Sequence, residues 1–376
     1  MADIPHFERH TIYRGSPAER VLLVVGDLNR DGHPEIVVAS RRGAHGLYWL
    51  EGGQDWRAEW RMHLMDDTYP SLEAGGVLCD LTGTGTLDFI GGGDYSTRHL
   101  SWWECPEDPA QRWTRRLIWS LPAGQCHDQF VADIDGDGRP ELYFWNQSAR
   151  RLYGVPVPED PRLTPWPGVY AVADDLLEEG FAAADVDGDG QVELIAGLSW
   201  YRIRPGGRVE RHRYAEGFVS PRVAAADFSG DGRVEVVIAE GDASYRRQDS
   251  PYGRVVHFRQ GGDPEGPWQA EVLGDRLLDP HSVAVADFDG DGRPDLFVGE
   301  LGHPGGHDSH LPRQRIFLNR DGQLVESVID EGLGTHEAKA IELDGRTGIA
   351  GKPYRSLRSE VPRTAEIDGV QVWMPA

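Results

Sequence analysis

Short apolar runs alternate with acidic, glycine-rich loops along this chain, and the same order recurs from one end to the other. A run of small apolar residues such as VAVAD precedes each loop, and a β-rich run such as ELYFW or DLFVGE follows it. Two further runs come next, the first resembling GLYWLEG or RIFLN and the second EWRMHLM or WQAEVLG. Short runs rich in β-branched and aromatic residues, bounded by turn residues, predict strands. Each repeat therefore supplies four strands.

The acidic loops set the period of the repeat. Six copies begin at Asp27, Asp80, Asp133, Asp185, Asp227 and Asp287, and a worn seventh begins at Glu342. Successive copies lie about fifty residues apart, a period typical of repeat architectures. Seven units of four strands predict an all-β fold, a seven-bladed β-propeller that forms one domain over residues 1–376. The seventh unit lacks its last two strands, and we expect GVQVWMP at the C-terminus and HFERHTIY at the N-terminus to complete it and close the ring.

Composition restricts the partners and the compartment. The 62 acidic and 38 basic residues give a net charge of −24, which disfavours nucleic acid and anionic membrane surfaces. No apolar run is long enough to span a bilayer, and MADIPHFERH lacks the basic and apolar regions of a signal peptide. Cys79, Cys105 and Cys126 cannot all pair within the chain, which suits a reducing compartment. We therefore expect a cytoplasmic protein, or an extracellular one if the sequence is a mature form, and the oligomeric state stays open.

Five of the acidic loops carry the ligand pattern of a calcium site. Oxygen ligands at alternate positions, a glycine for the sharp turn and a closing carboxylate wrap a hard cation much as an EF-hand loop does. The predicted ligands are Asp27, Asn29, Asp31, Glu35, Asp133, Asp135, Asp137, Glu141, Asp185, Asp187, Asp189, Glu193, Asp227, Ser229, Asp231, Glu235, Asp287, Asp289, Asp291 and Asp295. Because near-identical loops recur in most units, we interpret up to five calcium ions as structural links between the two inner strands of each blade, rather than as sensors.

Two copies of the loop depart from this pattern. The second has Thr82 and Thr84 in place of carboxylates, so we expect it to bind calcium weakly or not at all. In the seventh, Arg346 replaces an acid and is expected to fill the site with its own charge.

Counting six residues back from the first acidic position of each loop identifies the start of each innermost strand. The residues in this register are Val21, Ala74, His127, Glu179, Pro221, His281 and His336. In a propeller these positions surround one mouth of the central channel, on the face opposite the acidic loops. Three imidazoles and a carboxylate suit zinc, manganese or another divalent transition metal. The predicted metal ligands are His127, Glu179, His281 and His336, and the alternative is that they only line a wet channel.

The loops after the second strands lie on the same face. They carry aromatic, carboxylate and amide side chains that suit a small carbohydrate, since rings stack on its C–H surface and polar groups bind its hydroxyls. The predicted substrate-binding residues are Trp145, Asn146, Trp200, Glu240 and Glu300, together with Arg222 beside the histidine register. Propellers also bury aromatic residues between blades, so packing is the alternative for each tryptophan. A longer loop that contains His303, His307, Asp308 and His310 is a secondary candidate for a lid or a second metal site.

An acidic loop followed by an apolar strand resembles the FG-GAP or VCBS repeat, and this likeness covers the whole chain. The segments CHDQFVADIDGDGRPELYFWNQ, EEGFAAADVDGDG, GTHEAKAIELDG and GIAGKPY are more narrowly similar to the propeller domain of fungal aldos-2-ulose dehydratase and to short bacterial proteins akin to it. That resemblance implies elimination of water next to a carbonyl in a keto-sugar: a base removes the proton α to the carbonyl, and the β-hydroxyl leaves.

The mouth offers a candidate for each part of this reaction. A metal would polarise the carbonyl, a histidine or a tyrosine would move the proton, a carboxylate would orient an imidazole and a lysine would bind an oxyanion. The predicted catalytic residues are His127, Asp128, His281, His336, Lys352 and Tyr354, and the identity of the base stays open. The alternative function is a lectin-like or adhesion propeller with structural calcium. Lectin propellers usually repeat their binding sites blade by blade, whereas this site is single and axial, which favours the enzyme.

Overall fold

Seven four-stranded antiparallel sheets follow one another along the chain, as the repeat predicts. They lie within residues 5–15, 19–42, 46–69, 71–302, 311–353 and 369–376, which the computed structural model describes. In the first six sheets, strands that are consecutive in sequence pair as neighbours, because short turns join antiparallel strands. Each sheet is one blade of a propeller.

The first four blades use successive groups of strands. Blade 1 contains β2 (Glu19–Gly26), β3 (Glu35–Arg42), β4 (Leu47–Glu51) and β5 (Arg61–Asp66). Blade 2 contains β6 (Val77–Cys79), β7 (Asp88–Gly92), β8 (His99–Glu104) and β9 (Thr114–Ser120). Blade 3 contains β10 (Cys126–Ala132), β11 (Glu141–Asn146), β12 (Arg151–Pro156) and β13 (Tyr170–Asp174). Blade 4 contains β14 (Phe181–Ala184), β15 (Glu193–Ala196), β16 (Ser199–Arg204) and β17 (Arg208–Arg213).

The remaining three blades complete the ring. Blade 5 contains β18 (Pro221–Ala226), β19 (Glu235–Glu240), β20 (Gly253–Arg259) and β21 (Gln269–Leu277). Blade 6 contains β22 (Pro280–Ala286), β23 (Asp295–Glu300), β24 (Arg313–Arg320) and β25 (Gln323–Glu331). Blade 7 contains β26 (Glu337–Leu343), β27 (Arg346–Lys352), β28 (Val370–Pro375) and β1 (Phe7–Tyr13).

The two termini close the ring in blade 7, which confirms the sequence prediction. The N-terminal strand β1 pairs antiparallel with the C-terminal strand β28, from Phe7 opposite Pro375 to Tyr13 opposite Val370. Hydrogen bonding between the ends of the chain satisfies backbone groups that an open array would leave unpaired.

Helical structure is sparse in the described part of the chain. It consists of the short helix α1 (Ala243–Arg246) and one 3₁₀ turn (Gln147–Ala149), and both follow the second strand of a blade. None of the described helices has the length and apolar character needed to cross a membrane.

The hydrophobic core is divided among the junctions between blades. Described residues form seven buried clusters, and each cluster joins side chains from two adjacent blades. Between blades 3 and 4, for example, Trp145 packs with Leu194 and Tyr201. Because apolar side chains fill the junctions, the polar residues that begin the innermost strands are left at the central channel.

Candidate functional site

The predicted register of polar residues lies at one mouth of the channel and is buried there. The exposed fractions of His127, Glu179, His281 and His336 are only 5, 2, 4 and 5 %. Contacts link the side chains around the axis: Nε2 of His127 lies 4.0 Å from Oε2 of Glu179, and the rings of His281 and His336 stack with centroids 4.4 Å apart.

Three of the innermost strands, β2, β10 and β22, bulge at or next to this register. In β10, His127 faces Trp145 and Gln129 faces Phe144, so Asp128 is the extra residue. Asp128 has a left-handed backbone, with φ of 44°, and its Oδ2 accepts the backbone N–H of Gly180 at 2.8 Å. Bulges and left-handed residues of this kind occur next to active sites, where they redirect side chains.

Arg222 is the central cation of the cluster. Its side chain comes from β18 and is 6 % exposed as a residue. One guanidinium nitrogen lies 2.8 Å from Oε2 of Glu179 and 3.0 Å from Nε2 of His281, and the other lies 3.3 Å from Oδ2 of Asp128. Arg222 therefore joins groups from blades 3, 4 and 6. The sequence had placed Arg222 only as a flanking residue that binds substrate.

Nδ1 of each of the three histidines lies near an oxygen atom. Nδ1 of His281 lies 3.1 Å from the carbonyl oxygen of His336, and Nδ1 of His336 lies 3.1 Å from that of Val21. Nδ1 of His127 lies 3.2 Å from Oδ2 of Asp128. An oxygen acceptor next to Nδ1 favours the tautomer with its proton there, which leaves the lone pair on Nε2. Nε2 of His127 is thus set up to act as a base, whereas Nε2 of His281 lies 3.0 Å from a guanidinium nitrogen of Arg222 and 3.5 Å from Oδ1 of Asp242.

Neighbouring groups keep the two inner carboxylates of the cluster ionised. Burial raises the pKa of both carboxyl groups, but the neighbouring groups lower it by more. His127, Arg222 and the N–H of Gly180 hold the pKa of Asp128 well below its usual range. Arg222 and His127 likewise lower the pKa of Glu179 below its ordinary value. Both side chains are therefore carboxylates at neutral pH.

His336 is held in its neutral form. Burial lowers the pKa of this imidazole well below the usual value, and the nearby His281 and Lys352 lower it further. A neutral ring can accept a proton or ligate a metal at pH 7, and it cannot act as a proton donor of ordinary acidity.

Three contributors to the cluster were missed by the sequence analysis. Asp242 and Arg246 lie on α1 or just before it, and Gln147 lies on the 3₁₀ turn. Oδ1 of Asp242 lies 3.5 Å from Nε2 of His281, Arg246 pairs with Asp242 at 3.3 Å, and Gln147 donates to Glu179. Their position in the sequence could have identified two of them: Asp242 and Gln147 lie within two residues of the end of a second strand, on the mouth face.

The structure groups a different set of metal-type ligands from the one predicted. One ligand atom each from Glu179, Asp242 and His281 lie within 4.8 Å of one another. His127 and His336 border this group but do not belong to it. Asp242 supplies the third ligand atom instead, because α1 lies over the mouth. Counting residues along the innermost strands cannot identify Asp242, since it lies in a loop.

A cavity of about 180 Å³ leads from this cluster into the channel. Six of the seven blades line it, and its charged or ionisable wall residues are Asp128, Arg222, His281, Glu337 and Lys339. Cavities that combine a few polar groups with apolar walls are typical of small-molecule sites.

Burial corrects the prediction that the two tryptophans are sugar platforms. Trp145 is 0 % exposed and stacks on Phe181, and Trp200 is 1 % exposed and stacks on His212. Both indoles belong to the clusters between blades. Neither ring has a face available to a ligand, so the packing alternative is right for both.

Other predicted substrate-binding groups are occupied by structural contacts. Asn146 donates to the carbonyls of Ala123 and Gly124, each at 3.0 Å. Glu240 pairs with Arg247 and Arg254, each at 3.0 Å. These buried contacts fix the loops of the mouth, and this corrects the assignment of Asn146 and Glu240 to substrate binding.

Glu300 and Lys352 are also buried at this end of the blades. Glu300 pairs with Arg315 at 2.7 Å, which again indicates a structural role instead of the predicted binding role. Lys352 is fully buried, lies opposite Glu337 in the β26–β27 ladder and accepts the N–H of His336 on its carbonyl at 3.1 Å. The predicted catalytic residue Tyr354 and the histidine-rich loop at 303–310 lie outside the described residues.

The acidic loops lie at the other end of the innermost strands. Oxygen atoms from Asp133, Asp135, Asp137 and Glu141 lie within 4.8 Å of one another, as do those of Asp185, Asp187 and Glu193, and those of Asp287, Asp289 and Asp291. Oε1 of Glu193 and Oδ1 of Asp289 are buried without a hydrogen-bond partner. Orphaned carboxylate oxygens beside a ligand set fit a hard cation, so these loops suit the calcium that the sequence predicts.

The two degenerate loops have other contacts where the intact loops have carboxylates. In the second, the hydroxyls of Thr82 and Thr84 lie 3.0 Å apart and Asp80 accepts backbone N–H groups. In the seventh, Asp344 and Gly345 form a tight turn with φ of 53° and 67°. The prediction that Arg346 fills a site with its charge is wrong, because Arg346 donates to the carbonyl of Pro375 at 2.7 Å.

Comparison with known proteins agrees with the repeat and the fold. Residues 227–298 match the FG-GAP-like repeat, which spans an acidic loop in blade 5 and the next one in blade 6. No protein of curated function matches the sequence. The narrower resemblance to aldos-2-ulose dehydratase stays a prediction.

Solved propellers resemble the chain over nearly its full length. Virginiamycin B lyase from Staphylococcus aureus is 9 % identical, with 98 % of each chain covered and a TM-score of 0.55. The WD40 repeats of RRP9 are 13 % identical, with 99 % of each chain covered and a TM-score of 0.54. The exotype rhamnogalacturonan lyase YesX is 13 % identical, over 98 % of this chain and 76 % of that one, with a TM-score of 0.50. At these identities the likeness shows the fold alone.

Proposed function

We propose that the mouth cluster is the active site of a carbon–oxygen lyase that eliminates water or an alkoxide leaving group from a keto-sugar or related glycoside. The observation that carries the proposal is the convergence of His127, His281 and His336 on one buried cluster, where Nδ1 of each ring lies within 3.2 Å of an oxygen atom. Packing alone does not require ionisable side chains from blades 3, 5, 6 and 7 to line one cavity, as Asp128, Arg222, His281 and Glu337 do. Two of the solved propellers that share the fold are named as lyases.

The ligand set present suits a divalent transition metal, and binding it requires Arg222 to move, because one guanidinium nitrogen lies 2.8 Å from Oε2 of Glu179 and 3.0 Å from Nε2 of His281. Glu179, Asp242 and His281 would hold it, since their ligand atoms lie within 4.8 Å of one another and a mixed nitrogen and oxygen set suits zinc or manganese. When bound, such an ion supplies a Lewis acid that polarises the substrate carbonyl. Up to five calcium ions in the acidic loops would have a structural role.

His127 is the base in this proposal. Its Nδ1 lies 3.2 Å from Asp128, a carboxylate held by Gly180 and Arg222, so the pair has the base-and-orienter arrangement of acid–base catalysis. Nε2 of His127 takes the α-proton, the C–H electron pair forms the C=C bond, and the β C–O bond breaks. The proton then passes from His127 to the departing oxygen, which balances the reaction.

Arg222 stabilises negative charge during this step. Its guanidinium lines the cavity and remains protonated, because the neighbouring carboxylates raise its pKa against the opposing effect of burial. A fixed cation next to the cavity stabilises the developing enolate oxygen more than the neutral ketone.

The proposal is tested by incubating the metal-loaded protein with 1,5-anhydro-D-fructose and with 3-keto-glucosides and following enone absorbance. We expect His127→Ala to lower kcat by about 10²- to 10⁴-fold, the usual contribution of a general base. His99→Ala removes an exposed histidine on β8 and serves as the matched control. Binding of these ketones without turnover by the wild type would favour the lectin-like alternative. Full activity in both His127→Ala and His336→Ala would refute the site.

A further inference from the structure

The acidic loops of blades 3 and 4 form a matched pair within one chain. Their ligand sets are identical in type, with Asp133, Asp135, Asp137 and Glu141 in one loop and Asp185, Asp187, Asp189 and Glu193 in the other. All four carboxylates of the blade 3 loop place an oxygen within 4.8 Å of the others, whereas Asp189 does not join the group in blade 4. The cause of this difference must therefore lie outside the ligand set.

Two arginines on the third strand of blade 4 bind carboxylates of its loop. Nε of Arg202 donates to Oδ2 of Asp187 at 2.9 Å, and a second nitrogen of the same guanidinium lies 2.5 Å from that oxygen. Arg204 donates to Oδ2 of Asp189 at 2.8 Å. The side chains of Arg202 and Asp187 are only 18 and 9 % exposed, so this pair is largely shielded from water. Hydrogen bonds between charged groups are stronger than those between neutral ones, so the two arginines neutralise the loop.

Blade 3 has prolines at the two equivalent positions. The register of the β11–β12 and β15–β16 ladders aligns Pro156 with Arg202 and Pro158 with Arg204. Proline carries no charge, so these positions cannot neutralise a carboxylate of the blade 3 loop. Arg139, inside that loop, pairs with one of its carboxylates at 3.0 Å, but the arginine side chain is 68 % exposed, and exposed pairs of this kind contribute little. The four ligands of blade 3 therefore stay together.

The blade 4 loop nevertheless keeps a feature that points to a cation. Oε1 of Glu193 is buried without a hydrogen-bond partner, and a guanidinium nitrogen of Arg204 lies 3.9 Å away. A buried carboxylate oxygen is costly to leave without a hydrogen bond or a positive neighbour. The same arrangement recurs in blade 6, where Arg320 aligns with Arg204 and donates to Asp289 at 2.6 Å. In both blades calcium and an arginine would bind the same carboxylates.

We propose that Arg202 and Arg204 are internal counter-ions of the blade 4 loop, which make it bind calcium about 10- to 100-fold more weakly than the blade 3 loop. To bind, calcium must displace the guanidinium groups from Asp187 and Asp189, and the loss of these charge-assisted hydrogen bonds accounts for the factor. Where calcium is scarce, the arginines neutralise the loop in place of the ion. The inference rests on the calcium role proposed for the acidic loops and is independent of the lyase.

Calorimetric titration of the full chain with calcium, after removal of bound calcium by chelation, tests this ranking. Asp135→Asn and Asp187→Asn remove the equivalent ligand from blades 3 and 4. We expect Asp135→Asn to abolish the tightest binding phase and Asp187→Asn to leave it unchanged. Combining Arg202→Met with Arg204→Met should tighten one further site by about 10- to 100-fold. Arg151→Met, which removes an ion pair with Asp174 at the mouth end of blade 3, is the matched control and should change no calcium affinity.

The possible outcomes separate this inference from the proposed calcium role and from the lyase. If calcium binds but the two asparagine variants weaken it equally, or if the double methionine variant gains no affinity, the inference fails and the calcium role stands. If the wild type binds no calcium, both fail. Should the double methionine variant not fold, the comparison of Asp135→Asn with Asp187→Asn still decides. Calcium binding is measured without a sugar, so the result does not depend on whether a keto-sugar gives an enone.

Discussion

Replacing Arg222 by methionine is expected to destabilise the protein in a pH-dependent manner. The guanidinium is buried and contacts Glu179 at 2.8 Å and Asp128 at 3.3 Å. Methionine has a similar length and no charge, so Arg222→Met leaves two buried carboxylates that lose their main cation. Breaking a buried ion pair from one side costs about 3–5 kcal/mol.

The expected loss lies near the lower end of that range at pH 7.5. Asp128 keeps the N–H of Gly180 at 2.8 Å and His127 at 3.2 Å, and Glu179 keeps Gln147. We therefore predict a loss of about 3 kcal/mol in the free energy of unfolding. At pH 5 the variant can protonate a carboxylate whose pKa has risen, so the loss should shrink by about 1 kcal/mol or more.

Urea unfolding of wild type and variant at pH 7.5 and pH 5 measures both quantities. Arg315→Met is the matched control: Arg315 is as buried as Arg222 and pairs with Glu300 at 2.7 Å, outside the mouth cluster. Adding Glu179→Gln to Arg222→Met should restore about 1–2 kcal/mol, because it removes the unpaired charge. A loss below about 1 kcal/mol at pH 7.5, or one that does not change with pH, would refute the central role of Arg222.

Three further predictions concern other parts of the molecule. The lowered pKa of Glu179 stabilises the folded protein above the unfolded pKa of about 4.3, and this stability is lost as the pH falls through the folded pKa. Glu179→Gln should therefore reduce the fall in the free energy of unfolding at acid pH. Burial, with nearby Asp135, raises the pKa of Glu141 to about 7, so calcium must displace a proton below that pH. Calcium affinity should fall up to about tenfold per pH unit between pH 7 and 6, with proton release visible in calorimetry in two buffers; a pH-independent affinity would contradict this. Trp145→Ala should lower the free energy of unfolding by about 3–5 kcal/mol, and binding of 1,5-anhydro-D-fructose by the folded fraction should not change; selective loss of binding would contradict the packing role.

The sequence was sufficient to predict the architecture, because the number and spacing of the repeats determine it. Each acidic loop marks the turn between two inner strands, so its spacing gives both the number of blades and their boundaries. The same loops provided the count that found His127, Glu179, His281 and His336, since residues at one height in equivalent strands surround one axis. The three loops with four carboxylates are also the ones in which three or four carboxylate oxygens lie within 4.8 Å of one another, and their calcium binding stays a prediction.

The features of the site that the sequence did not predict lie mainly where the blades differ from one another. Asp242 reaches the cluster only because α1 folds over the mouth, and no repeat predicts the path of a unique loop. Trp145 lies near the end of the second strand β11 and Trp200 near the start of the third strand β16, yet both rings pack into the junctions between blades. Strand alternation decides such orientations, and a one-residue shift reverses them.

Elemental analysis after exhaustive removal of calcium by chelation tests most directly whether the mouth is a metal-assisted site. The wild type, reconstituted with zinc or manganese and freed of excess metal, should retain one transition ion per chain, and His281→Ala and Asp242→Asn should retain much less. His99→Ala should behave like the wild type. A protein that binds calcium only, or the same transition-metal content in wild type and both variants, would contradict the assignment of Glu179, Asp242 and His281 as a metal centre.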